Sequence, residues 1–109
     1  MVLKIYGGYD SVVNEITNSN SLGEIVYSKN IDENNTFIVF ERYTFRSGNR
    51  MTLSIVLCKK DFYVDAHVIS SGGGQGMIFN FDWGAGTNYI SKFVNVLDNT
   101  NIRYETLEE

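Results

Sequence analysis

Arg50-Met51-Thr52-Leu53-Ser54-Ile55-Val56-Leu57-Cys58 alternates without a break: Met51, Leu53, Ile55 and Leu57 fall on one side, Arg50, Thr52 and Ser54 on the other. A period of two is that of a β-strand with one buried face. Working outward, Ser47-Gly48-Asn49 turns the chain back to a long strand over 36–46, and Lys59 to Asp61 turns it forward to a strand over 62–70. In that last strand Phe62, Val64, Ala66 and Val68 alternate, and after a glycine-rich loop Met77, Phe79 and Phe81 do so again. Upstream, Val2–Tyr6 reads as a first strand closed by Gly7-Gly8, and Glu24–Lys29 as a second strand followed by a polar loop through Asn35. Tyr9, Val12, Val13 and Ile16 form the apolar stripe of a helix capped by Asp10 or Ser11 and running to about Asn18. Tyr89, Phe93 and Leu97 recur at spacing four, beside Ile90 and Val94, in a last helix with Thr87 as its N-cap.

The predicted order is β-α-β-β-β-β-β-α. Short turns favour pairing between neighbours, and two amphipathic helices need an apolar sheet face to cover. The expected fold class is therefore α+β: a single twisted antiparallel β-sheet with two helices packed on one face. Such an order resembles TATA-binding-protein-like or helix-grip-like folds. The 109 residues read as one domain, with an ordered core over about 2–98 and a polar, acidic segment over 99–109.

Charge and composition exclude several classes. Nine Lys+Arg against thirteen Asp+Glu leave a net charge of −4, the wrong sign for a protein that neutralises nucleic-acid phosphates. No run approaches the ~20 apolar residues of a membrane helix, and the opening residues lack the apolar stretch of a secretory signal. With Cys58 as the single cysteine, no intramolecular disulfide forms, which fits a cytoplasmic, reducing location. One His and one Cys without clustered carboxylates give no metal site, and no cofactor motif stands in the sequence.

Hairpin register tests the remaining chemistry. A two-residue turn at Lys60-Asp61 sets Leu57 opposite Val64, Ile55 opposite Ala66 and Leu53 opposite Val68, with every apolar pair on one face. Cys58 then faces Tyr63 and Ser54 faces His67, leaving Cys58 and His67 roughly 13 Å apart at ~3.3 Å per residue, too far for a catalytic dyad. A four-residue loop over 46–49 sets Glu41 opposite Ser54, so that Glu41, Ser54 and His67 stand side by side. The serine is then in the middle, whereas a triad needs the histidine there. No catalytic residue is assigned on this basis, and the reading leans away from an enzyme.

Ser70-Ser71-Gly72-Gly73-Gly74-Gln75-Gly76 is a glycine-rich loop that leads into a strand, not into the helix N-terminus a phosphate cradle requires. It reads as a flexible connection, or else as an amide-lined rim for a small anion. In that second case Arg42, Gly73, Gly74, Gln75 and Trp83 are the ligand-binding candidates, near the last helix. In the long strand, Phe37, Val39, Tyr43 and Phe45 share one face while Ile38 and Phe40 occupy the other. A strand apolar on both faces implies that the second face is covered too, and in so small a chain a second subunit can supply the cover. Those four residues are the candidate interface of a homodimer.

Several stretches together resemble a family of small bacterial proteins catalogued as domain of unknown function 6054: Glu41-Arg42-Tyr43, Gly48-Asn49-Arg50 with Leu53, Ser70-Ser71-Gly72-Gly73 with Gln75, and Met77-Ile78-Phe79, continuing through Asn80 and Trp83-Gly84. The resemblance spans about 37–97. It implies a cytoplasmic protein of Gram-positive-type bacteria and carries no activity. It singles out Glu41, Arg42, Asn49, Arg50 and Gln75 as polar residues within its motifs. Glu41 and Arg42 point to opposite faces, so one of them meets the helices and needs a partner there. A structural polar cluster of Glu41, Arg42, Asn49 and Arg50, containing a buried ion pair, is one reading; a polar ligand pocket at the sheet's end is the other. The sequence therefore points to a non-enzymatic, homo-oligomerising interaction domain, or alternatively to a module that binds a small molecule or anion near residues 71–76.

Overall fold

The computed structural model describes residues 1–44, 49–72 and 85–108. Phe45, Gly73, Gly74, Gln75, Trp83 and the strand expected over Met77–Phe81 lie outside them. The elements run β1 (Val2–Tyr6), α1 (Tyr9–Thr17), a 3-10 turn (Asn20–Leu22), β2 (Glu24–Asp32), β3 (Asn35–Thr44), β4 (Asn49–Lys59), β5 (Val64–Gly72), α2 (Ala85–Asn99) and β6 (Arg103–Glu108). The strands form one antiparallel sheet in the order β2-β3-β4-β5-β1-β6. The class is α+β, as the hydrophobic periods require.

One face of this sheet is the core. Leu3 and Ile5 of β1, Ile38 and Phe40 of β3, Met51, Leu53, Ile55 and Leu57 of β4, and Val64, Ala66 and Val68 of β5 are all buried. Val12 and Ile16 of α1, and Tyr89, Phe93, Val96 and Leu97 of α2, close over them in the same cluster. Both helices therefore use one face, and every second residue of the central strands is committed to it. Thr36 is a polar member of this layer, 2% exposed. It is satisfied on both sides: its Oγ1 donates to Asn30 Oδ1 at 3.1 Å and pairs with the hydroxyl of Tyr9. These contacts tie the start of α1 to the β2–β3 end of the sheet.

Three boundaries differ from the sequence expectation. Helix α1 begins at Tyr9 with Gly8 as an N-cap that offers no side-chain bond, and α2 begins at Ala85 rather than after Thr87. The loop expected over Asn30–Asn35 is mostly strand. Asp32 pairs with Asn35 across a two-residue turn, where the Asp32 carboxylate accepts from Asn34 N at 2.8 Å and from Asn35 Nδ2 at 2.9 Å. These donors hold the Asp32 carboxyl below its usual pKa, the Asn34 amide first.

Both long hairpins pair two positions away from the expected register. The β4–β5 connection spans residues 60–63, closed by Lys60 N donating to Tyr63 O at 2.9 Å. Leu57 thus faces Ala66 and Ile55 faces Val68, leaving Phe62 in the loop and 87% exposed. In the β3–β4 hairpin Thr44 faces Asn49, so Glu41 faces Thr52 and Ser54 faces Val39. The acidic segment over 99–109 is also more than a tail. Arg103–Glu108 pairs along β1, with Tyr104 opposite Ile5 and packed against the core.

Candidate functional site

The site residues expected from the sequence divide between the two sheet faces. On the open face, Glu41 and Arg50 meet at 2.7 Å, a diagonal ion pair of two β3–β4 neighbours, with the Arg50 side chain 68% and the Glu41 side chain 23% exposed. Asn49 opens β4 opposite Thr44. Arg42 stands alone on the other face, opposite Met51. The cluster of Glu41, Arg42, Asn49 and Arg50 is therefore split, and its ion pair is solvent-facing rather than buried: adjacent residues in a strand point to opposite sides, and Arg50 sits across from Tyr43 on the side of Glu41.

The open face carries an apolar patch over β2 to β5, crossed at Ser54, which pairs with Val39 on one side and Ile69 on the other. Phe37, Val39 and Val56 are half-buried by their neighbours, and Tyr27 packs edge-on to Phe37 with ring centroids 5.5 Å apart. Tyr43 and Ile69 stand out from it, 56% and 61% exposed. Polar contacts border this patch. Besides Glu41–Arg50, His67 Nε2 lies 3.0 Å from Asp65 Oδ2, and the Lys4 ammonium rests 4.8 Å from the Tyr63 ring centre. The register places Ser54 opposite Ile69 and Val56 opposite His67. Glu41, Ser54 and His67 consequently lie in three different rows, and the imagined triad has no geometry. Cys58 faces Asp65, and its thiol is pushed above its ordinary pKa by burial first and by the Asp65 carboxylate second. A thiol so placed stays protonated and is a poor nucleophile.

The covered face ends in a polar corner that the sequence pattern reveals only in part. Arg42 follows Phe40 on β3, and its guanidinium carbon lies 4.9 Å from the ring centre of Tyr89 in α2. The Tyr89 hydroxyl donates to Leu22 O at 2.6 Å. Burial pushes its pKa up to about 12 against the opposing pull of Arg42. Gly23 makes the approach possible. Its φ is 102°, and a Cβ there would stand 2.5 Å from Glu41 O and 3.2 Å from the Tyr89 hydroxyl. Two polar atoms on this face, Arg42 Nε and Ser70 Oγ, are buried without a partner among the described residues. A Gly after an apolar residue, Leu22-Gly23, was the available signal for this corner; nothing in the spacing linked it to Tyr89.

A shallow cleft of about 370 Å³ opens at the opposite end, between Gly7-Gly8 and Lys59, Lys60 and Phe62. Among the described residues no group of three His, Cys, Asp or Glu converges to hold a metal ion, and no helix is long and apolar enough to cross a membrane.

No curated protein and no solved structure matches the chain. A family model does, over residues 4–101, which takes in the last three residues of β1, all of α1 and β2, and the motifs from Phe37 onward. With nearly its whole length inside that match, the chain belongs to the family of unknown function DUF6054.

Proposed function

We propose that this protein is a non-enzymatic interaction domain that associates with a second copy of itself through the open face of its sheet. The observation that carries the reading is the apolar patch of Tyr27, Phe37, Val39, Val56 and Ile69 beside the Glu41–Arg50 ion pair. Such a patch suits burial against protein. It suits a second copy, whose net charge of −4 would repel the first elsewhere on the surface. Six strands about 4.8 Å apart and some eight residues long present roughly 800 Å², the share each partner contributes to an interface of standard size. The upward shift of the Cys58 thiol and the separation of Glu41, Ser54 and His67 support a role without catalysis. The single cysteine fits a cytoplasmic setting. Sedimentation equilibrium at about 100 µM tests the reading. The expected mass is twice 12.4 kDa, falling to one copy in Val39→Glu or Ile69→Glu with unchanged circular dichroism. A wild-type protein that sediments as one copy at that concentration overturns it.

A further inference from the structure

The core face of β3 runs Thr36, Ile38, Phe40 and then Arg42, so a permanent charge is built into the rim of an apolar layer. Its natural counter-ion is engaged elsewhere: Glu41 points to the opposite face and is held by Arg50. Tyr89 cannot serve either, because its hydroxyl proton is committed to Leu22 O and its high pKa keeps the ring neutral. The ring lies 4.9 Å from the guanidinium carbon, and Nε beside it is buried. A buried Nε–H with no acceptor among the described residues leaves a charge-assisted hydrogen bond to be completed. Ser70 Oγ, two strands away on the same face, is in the same condition. From the sheet spacings the two Cα atoms lie on the order of 12 Å apart, across Met51 and Leu53 of β4.

We propose that Arg42, seated on Tyr89 and joined by Ser70, binds an oxyanion of a small ligand, a carboxylate or a phosphate, along its Nε–Nη edge. The planar fork of arginine matches two oxygens of such a group side by side, which the ammonium of a lysine does not. The site occupies the helix-covered face and is independent of self-association through the open face.

The test is a titration of the full chain followed by the ¹H–¹⁵N signal of the Arg42 Nε–H. Inorganic phosphate, sodium acetate and sodium chloride are compared at constant ionic strength. The expected result is a saturable downfield displacement with phosphate or acetate and none with chloride; whichever saturates at lower concentration identifies the group carried by the ligand. Arg42→Lys, which keeps the charge and removes the fork, weakens binding about tenfold. Ser70→Ala weakens it by a smaller factor. A displacement that is absent, or linear and equal in chloride, overturns the proposal in the wild-type protein alone. So does unchanged affinity in Arg42→Lys.

Discussion

Tyr89 and Leu22 are joined by a hydrogen bond of 2.6 Å across 67 residues, the hydroxyl of α2 donating to a carbonyl of the 3-10 turn. This bond locks the helix that closes the core to the turn that leads into the outermost strand. Burial raises the Tyr89 pKa from 10.0 to about 12, so the folded state holds the phenolic proton more tightly than the unfolded chain. The stabilisation is fully present below pH 10 and is lost as pH rises through about 12. The difference between those two pKa values bounds the loss at about 3 kcal/mol. Urea unfolding followed from pH 9 to 12 is expected to show that decline. Tyr89→Phe costs about 1–2 kcal/mol at neutral pH, because Leu22 O is left unpaired, and it flattens the alkaline slope.

Gly23→Ala is expected to be among the more damaging single substitutions. The new Cβ meets backbone, Glu41 O at 2.5 Å, and the φ of 102° is itself unfavourable for alanine. Relief requires moving the 3-10 turn away from β3, which also stretches the Tyr89–Leu22 bond. The expected loss is roughly 2–3 kcal/mol, read as a lower urea midpoint with unchanged slope. Gly8→Ala, where a Cβ meets Ser11 Cβ only at 4.0 Å and the φ is −66°, is the matched control with a small effect.

Cys58 reports on the β4–β5 register. Because it faces Asp65, neutralising that carboxylate removes the second cause of its raised pKa. Asp65→Asn is therefore expected to speed alkylation by iodoacetamide at pH 8 by about two- to threefold, with burial still holding the rate below that of free cysteine. Under the pairing in which Cys58 faces Tyr63, the same substitution would act two positions farther away and leave the rate nearly unchanged.

That register shows how far the sequence carries. The alternation of Met51, Leu53, Ile55 and Leu57 assigns the buried face without structural help, since no other arrangement hides all four. Pairing is less constrained. Slipping β5 by two residues exchanges Val64, Ala66 and Val68 among equivalent apolar partners and keeps every side chain on its own face, so hydrophobicity alone does not discriminate. The choice rests on the turn at 60–63, where the Lys60 N–H to Tyr63 bond makes a longer connection than Lys60-Asp61 suggests. The same even slip in the β3–β4 hairpin moved Glu41 from Ser54 to Thr52 and broke the row of Glu41, Ser54 and His67. The Arg42 corner was half legible: strand alternation put a charge on one face or the other, but its seat on Tyr89 joins residues too distant in sequence for any local period to connect.

Strand β6 was hidden for a different reason, and its inward residue supplies the last prediction. Arg103-Tyr104-Glu105-Thr106-Leu107-Glu108 alternates weakly, since three of its six residues are charged and Leu107 is 51% exposed at the sheet edge. Tyr104 nevertheless faces the core opposite Ile5, and its hydroxyl donates to Asp98 Oδ1 at 2.9 Å, bridging β6 to the end of α2. That carboxylate acceptor holds the Tyr104 pKa above its ordinary value, ahead of any effect of burial. If β6 is an integral strand, Tyr104→Ala destabilises the whole fold by about 1–2 kcal/mol. It also lowers hydrogen-exchange protection at the β1 amides that pair with β6, while those pairing with β5 keep theirs. Tyr104→Phe loses only the exposed bond to Asp98 and is expected to cost less than about 1 kcal/mol. A segment that merely trailed from α2 would leave both global stability and the exchange of β1 untouched by either change.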